Sequence, residues 1–461
     1  MINETETTPA SKILFFLLCA TIIFTTVAYG AVHQPVIAIF YLTAVIIVLL
    51  WAFDAFATGV LRFNKSLIQI PLLAAFLYGV LQVIPFGSLA ETAGVGGIPR
   101  MISLDPFATQ ISALHFLAFS IFLAALLTYI DSAKRLKKIV YVITIFGFIF
   151  AFFAILQAVL SPTKIYGIYE PKFAVPFGSF VNRHNFAAYM EMTLGVPLGL
   201  LFVGAINRDK RLIYITAVGL MGIALLLSGS RGGFISLLAE IFFLIILTTK
   251  TKNSAQMAIK IGFAVLLMVV VIFGAILIGG ESSLTRFAET AASQDFSTNR
   301  THIWSVTLSV IKNNLPFGAG FGAFGAAYTP YDSLNGLERV EQAHNDYLQV
   351  LADAGIVGLL LGAYFLYALF KAGWQNVKTS NKFGRGVAVG ALAGCFAILV
   401  HSLFDFVLHI TAVAMLFTTL IALVATSGNS SAEDDENRKI SNQKRRSASV
   451  TAIEEKRKNK D

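Results

Sequence analysis

Three residues in this 461-residue chain combine a titratable base with fixed positive charge. His344 lies in the run Ala343-His344-Asn345-Asp346-Tyr347-Leu348-Gln349, which continues into Asp353-Ala354-Gly355. Arg231 sits in Ser228-Gly229-Ser230-Arg231-Gly232-Gly233, and Arg300 in Asn299-Arg300-Thr301-His302-Ile303-Trp304. A neutral imidazole near pH 7 can accept a proton from an attacking hydroxyl. An arginine fork stays charged and binds two oxygens at once. One base and two fixed cations in an otherwise apolar chain suit a reaction on a lipid-linked diphosphate. Each residue also has a structural reading: Arg231 as a turn arginine that snorkels to the interface, Arg300 as a solvated loop residue, His344 as a capping histidine satisfied by backbone. Flanking glycines would let a large head group approach Arg231 closely, and Arg300 precedes a helix whose dipole disfavours a cation there. Asp346 or Glu341 could orient the imidazole, while Asn345 and Asp346 are also good cap residues for the same helix.

Two smaller constellations accompany the trio. Asn182-Arg183-His184-Asn185 opens a further apolar run and is a candidate for binding sugar or phosphate. The turn His401-Ser402-Leu403-Phe404-Asp405-Phe406-Val407-Leu408-His409 either lines the same cavity, through His401 and Asp405, or satisfies a tight turn. Ser230, Gly232, Asn345 and Asp346 complete the set of candidate substrate contacts. Gly320-Phe321-Gly322-Ala323-Phe324-Gly325 has dinucleotide-loop spacing but lacks a preceding strand, and the Ser228–Gly233 turn lacks the lysine of a P-loop. No acidic pair has metal-site spacing, so neither a metal nor a cofactor is expected.

The elements that position these residues are membrane helices. The chain is 56% apolar and 13% charged, against about 45–50% and about 25% for a soluble domain. About twelve apolar runs are long enough to cross roughly 30 Å of hydrocarbon. They lie near 13–31, 36–57, 66–86, 110–130, 139–160, 186–205, 212–228, 233–249, 258–279, 347–370, 386–403 and 406–426, giving an all-α integral membrane fold. The net charge of +9 is topogenic and gives no reason to expect nucleic acid. Arg62, Lys65, Lys134, Arg135, Lys137, Lys138, Arg208, Lys210, Arg211, Lys250, Lys252, Lys371, Lys378, Lys382 and Arg385 all fall in even-numbered connections. The positive-inside rule then puts both termini in the cytoplasm and the candidate residues on the outer face of a bacterial inner membrane. Cys19 and Cys395 fall within spans, so no disulfide is expected. The first span is expected to be retained rather than cleaved as a signal peptide.

Residues 1–185 form an N-terminal set of spans with two long outer segments, 87–109 and 161–185. Residues 186–426 form the catalytic region, including a long outer connection at 280–346 in which 301–314 reads as an amphipathic helix stopped by Pro316. Residues 427–461 mix acidic and basic runs without apolar periodicity and read as a disordered cytoplasmic tail able to touch anionic lipid.

Taken in order, Ser230-Arg231-Gly232, Arg300 with Trp304, Pro316-Phe317-Gly318 with Gly320, and His344-Asn345-Asp346 with Leu348 and Gly355 resemble the O-antigen ligase family. That family includes ligases, polymerases and protein O-glycosyltransferases. The resemblance is strongest over roughly 186–375. It implies a GT-C-like membrane glycosyltransferase that works on the periplasmic face without nucleotide sugar or metal. The donor would be a glycan on undecaprenyl diphosphate, and for a ligase the acceptor would be a sugar hydroxyl of lipid A-core. Arg231 and Arg300 would bind the donor diphosphate, His344 would be the general base, and the anomeric centre would be inverted. Polymerase and protein O-oligosaccharyltransferase activities share such a site, because each attacks the same donor with a hydroxyl. A transporter of lipid-linked glycans is the alternative from a different class. The absence of an internal repeat and the long outer connection count against it.

Overall fold

The computed structural model describes residues 8–89, 96–249, 257–269, 272–273, 300–333 and 339–428. Among these the chain is all helical apart from isolated bridges, as an integral membrane protein should be. The first five helices are α1 (Pro9–Val27), α2 (Gln34–Thr58), α3 (Ile70–Gln82), α4 (Pro106–Tyr129) and α5 (Ala133–Leu160). Next come α6 (Arg183–Val203), α7 (Arg208–Leu227), α8 (Arg231–Thr248), α9 (Met257–Val269) and the shorter α10 (Arg300–Asn314) and α11 (Phe324–Tyr328). The chain then runs through α12 (Asp346–Asn376), α13 (Lys382–His401) and α14 (Thr411–Thr426). Among the described residues nine helices are long and apolar enough to cross a membrane, and three shorter apolar helices accompany them. Each expected span coincides with one of these, although most of 258–279 beyond residue 269 lies outside the described residues. The expected amphipathic helix at 301–314 is α10. Most of the expected disordered tail, 429–461, lies outside the described residues, as do 90–95, 280–299 and 334–338 of the long connections.

The helices begin where the sequence supplies caps. Thr8, Asp105, Ser132, Asn182, Ser230, Asn345 and Asn381 each accept a backbone N–H from the first turn they precede, relieving donors that a helix start leaves unpaired. The centre of the bundle is α6 against α13. Gly195 and Gly199 on α6 meet Gly386, Gly390 and Gly394 on α13 so closely that a Cβ at Gly199 would lie 2.3 Å from the Gly390 nitrogen. Small residues at four-residue spacing allow this approach, and in a membrane such van der Waals contact replaces the hydrophobic drive between helices. At the periphery α2 turns Ile39, Leu42, Val45, Leu49 and Phe53 outward, as a lipid-facing helix does.

Polar contacts fix both ends of the bundle. Where α1 and α5 begin and α2 and α4 finish, buried Asp54 accepts hydrogen bonds from Thr8, from Tyr129 at 2.8 Å and from Arg62 at 2.8 Å. Arg135 joins the same knot, 3.1 Å from Asp131 and 2.5 Å from Ser11 Oγ. At the opposite end α6, α8 and α12 start and α13 finishes.

One helix at that end is broken. α12 loses helical geometry at Gly355, with φ 58° and ψ −142°. The backbone groups freed there are taken up by the strap 316–322. Ile356 N–H donates to the Pro316 carbonyl at 2.9 Å, Ala319 N–H to Ala352 at 2.8 Å and Gly320 N–H to Asp353 at 2.9 Å. Gln82 from α3 locks the crossing, donating to the Asp353 carbonyl at 3.0 Å and accepting from Phe321 N–H at 3.0 Å. Gly318 allows the backbones to meet, a Cβ there falling 2.4 Å from the Asp353 carbonyl, while Gly320 and Gly322 pack against Ser103 and Ser112. A Cβ at Gly355 would meet the Pro316 carbonyl oxygen at 2.1 Å, and its left-handed φ alone costs a side chain about 1–3 kcal/mol. Gly355→Ala should therefore lower the unfolding midpoint of the detergent-solubilised protein by several degrees, whereas Gly362→Ala, with nothing within 4 Å, should leave it near wild type. Equal midpoints for the two variants would refute this account of the break.

Candidate active site

The turn between α13 and α14 gathers the expected residues. Asp405, buried at 3% exposure, places one carboxylate oxygen 3.1 Å from His344 Nδ1 and the other 3.2 Å from the Arg300 guanidinium. A base and a cation that arrive on separate elements are thus joined by one carboxylate. The His344 Nδ1–H donates to Asp405, which leaves Nε2 as the nitrogen able to accept a proton. Burial works against charge on Asp405, but the His344 hydrogen bond and the charges of His184, Arg300 and His344 outweigh it and hold the carboxyl well below the usual carboxylate range. Arg300 keeps further N–H donors beyond the one that meets Asp405.

The backbone around His344 is built to hold it. His344 has φ 49°, a conformation rare outside glycine, and residues so strained persist only where their surroundings enforce them. Here Trp304 Nε1–H donates to the Ala343 carbonyl at 3.0 Å, and Ala343 N–H donates to Gln349 at 2.7 Å. Beyond the histidine, Asn345 caps α12 and donates to the Leu403 carbonyl at 3.0 Å, while Asp346 N–H donates to the Ser402 carbonyl at 3.0 Å. Phe406 meets the imidazole edge to face, with ring centres 4.7 Å apart. The ring itself stays about a third exposed, at 32% for the side chain, so a hydroxyl can reach it.

Arg231 enters the same neighbourhood through its turn. Ser230 caps α8 by accepting the Gly233 N–H at 3.2 Å and is 2.9 Å from His184 Nδ1. Arg183 lies against this turn, with its guanidinium 3.4 Å from where a Cβ at Gly229 would be. Gly232 packs on the His401 ring and on Phe404, which places the Arg231 turn beside the turn that holds Asp405. A pattern emerges that single motifs did not reveal. Arg183 and Arg231 are the first residues of α6 and α8, and Arg300 is the first described residue of α10. A cation at a helix start is opposed by the helix dipole, so Arg183 and Arg231 at one end of the bundle favour an anion there.

Several expected substrate contacts instead hold the protein together. Asp346, offered as an orienter of the imidazole, is buried and accepts from Ser402 Oγ at 2.8 Å, Leu408 N–H at 3.2 Å and His409 Nδ1 at 3.0 Å. Glu341, the other candidate, pairs with Arg339 at 2.6 Å. Asp405 performs the orienting role. His401 is buried, with Nδ1 3.0 Å from Glu191. Ser230 and Asn345 are engaged as caps, which makes them supports of the site. Arg183, His184, Arg231, Gly232, Arg300 and His344 keep partial exposure.

The Asp346 knot makes the site floor sensitive to pH. Burial opposes charge on His409, but its hydrogen bond to Asp346 and the charges of Asp346 and Asp353 outweigh that and raise its pKa above the usual histidine value. The folded state therefore favours the protonated ring. The resulting stability is fully present below the unfolded histidine range, near about pH 6.5, and fades as pH rises through the higher folded value. His409→Asn should therefore lower the unfolding midpoint more at about pH 5.5 than at about pH 8.5; an equal loss at both would exclude His409 as a source of pH-dependent stability.

No curated protein matches the chain. Residues 216–363, from within α7 to the middle of α12, match the family described as O-antigen ligase. That stretch contains Arg231, Arg300 and His344, but neither Asp405 nor the Arg183–His184 pair. This region of the chain is thus similar to the O-antigen ligase family, as the order of its motifs led one to expect.

Proposed function

We propose that the protein is an inverting glycosyltransferase that moves a glycan from undecaprenyl diphosphate to an acceptor hydroxyl, and that it is an O-antigen ligase whose acceptor is lipid A-core. The observation that carries this reading is the shared carboxylate of Asp405, which holds His344 as a base and Arg300 as a cation in one unit. His344 Nε2 takes the proton of the acceptor hydroxyl as its oxygen attacks the anomeric carbon. The bond from that carbon to the diphosphate oxygen breaks, and the lipid diphosphate leaves with the electron pair. Arg231 and Arg300, with Arg183 beside them, neutralise the charge that builds there. Attack from the face opposite the leaving group inverts the anomeric centre. Preorganised donors in a site of low dielectric lower the barrier because they need not reorient as charge develops.

The orientation follows the distribution of basic residues. Arg62, Lys65, Lys134, Arg208, Lys210 and Lys382 lie at the end of the bundle opposite His344. The positive-inside rule makes that end cytoplasmic and the candidate site periplasmic in a bacterial inner membrane. A lipid-linked donor would then approach with its head group at the membrane edge and its chain among the helices.

Two experiments test the proposal. In purified protein of unchanged unfolding midpoint, His344→Ala should lower turnover by about 10²–10⁴-fold, and Arg231→Ala or Arg300→Ala by about 10²–10³-fold. Near-wild-type turnover in any of them would remove that residue from the mechanism. In a deletion strain, polymer stranded on undecaprenyl diphosphate beside lipid A-core without polymer would support a ligase. Single repeats left on the carrier or the core would identify a polymerase instead.

A further inference from the structure

Beneath the Arg231 turn lies a polar seam that the reaction as described does not use. Along α8, Gly232, Ser236 and Glu240 recur every four residues, and along α6 so do Ala187, Glu191 and Gly195. Glu191, Ser236 and Glu240 have no exposure, and His401 from α13 has 1%. His401 Nδ1 is 3.0 and 3.2 Å from the two Glu191 carboxylate oxygens. Among the described residues His401 Nε2, Ser236 Oγ and both Glu240 oxygens have no hydrogen-bond partner. Ionisable groups at membrane depth are expensive and tend to be functional, and a buried polar atom without a partner costs about 1–3 kcal/mol. In the neighbouring seam Gly195 and Gly199 of α6 meet the backbone of Gly386, Gly390 and Gly394 of α13 without any ionisable group of α13.

What distinguishes the Glu191–His401 pair is what the imidazole touches. Its Cδ2 and Nε2 lie 2.8 Å from the place a Cβ at Gly232 would occupy, so the ring rests directly on the backbone next to Arg231. On the other side Glu191 grips the ring with both oxygens. The ring is therefore a spacer of fixed height between a carboxylate on α6 and the first turn of α8. Ser230, which caps that turn and meets His184, moves with it. Glu240 shares the burial but sits two turns further along α8, against Gly195.

We propose that Glu191 and His401 are a positioning pair that sets the height of the Ser230–Gly233 turn and thereby the place of Arg231 at the donor diphosphate. This rests on the assignment of Arg231 to the diphosphate. Both residues act through Arg231, so their loss affects donor recognition before it affects the proton transfer at His344.

The test uses full-length protein in detergent with lipid-linked donor extracted from the deletion strain. Glu191→Gln and His401→Asn should raise KM for the donor by about 10–100-fold, the range found when a group that orients a ligand is lost. The acceptor KM should stay at the wild-type value, kcat should fall by less than in Arg231→Ala, and Glu240→Gln should leave both KM values and kcat unchanged. Gly232→Ala, which drives a methyl group into the ring, should raise the donor KM as well. The double variant Gly232→Ala with His401→Ala should be no worse than His401→Ala alone, because both act through one contact. A wild-type donor KM in folded Glu191→Gln and His401→Asn, with any loss confined to yield or unfolding midpoint, would overturn the pair's role. If those two variants do not fold, additive effects in the Gly232 cycle would overturn it. An unchanged donor KM together with unchanged turnover in Arg231→Ala would defeat the assignment of Arg231 to the diphosphate, and this inference with it.

Discussion

A helix that breaks at membrane depth releases backbone donors and acceptors into a medium that cannot solvate them, and the chain must satisfy them from within. α12 breaks at Gly355, and the strap 316–322 supplies the missing partners. The site depends on this exchange. It ties α10, which carries Arg300 and Trp304, to the helix that begins just after His344. Gln82 and Tyr78 of α3 close over the same crossing, bonding to Phe317 and Asp353 carbonyls and so linking α3 to α12. The strap thus adds to the link that Trp304 makes between α10 and the Ala343 carbonyl.

Electrostatics then decides what the frame is for. Arg183 and Arg231 begin two helices at one end of the bundle, each placed where its own dipole disfavours it by about 0.3–1 kcal/mol. An anion stabilises such an arrangement. Asp405 pairs with Arg300 and uses its second oxygen for His344. The same carboxylate thus sets the tautomer of the base and moderates the repulsion among the cations. That economy is possible because Asp405 lies on a turn between two spans, within reach of elements distant in sequence.

Much of this was legible beforehand because it is local. Apolar runs mark the spans, Ser230 and Asn345 precede helices as caps should, and His344, Arg231 and Arg300 stand out by type in an apolar chain. The partners were hidden because they are not local. Asp405 meets His344 across 61 residues and Arg300 across 105, and Glu191 meets His401 across 210. Asp346 and Glu341 were equal candidates by their nearness to His344, yet a helix start directs Asp346 toward Ser402 and His409, and Glu341 pairs with Arg339. The glycine run at 318–325 was recognised as unfit for a nucleotide, but its use in a backbone crossing needed the break at Gly355 to be visible. A signal present in the sequence alone is the repetition of arginine directly after a capping residue, at Asn182-Arg183 and Ser230-Arg231.

The knot at the far end of the bundle bears on how the protein is handled. Asp54 is almost wholly buried and draws one of its hydrogen bonds from Thr8, the residue that also caps α1. A purification handle that replaces or crowds Thr8 would strip a buried carboxylate of a donor and fray the first helix at once.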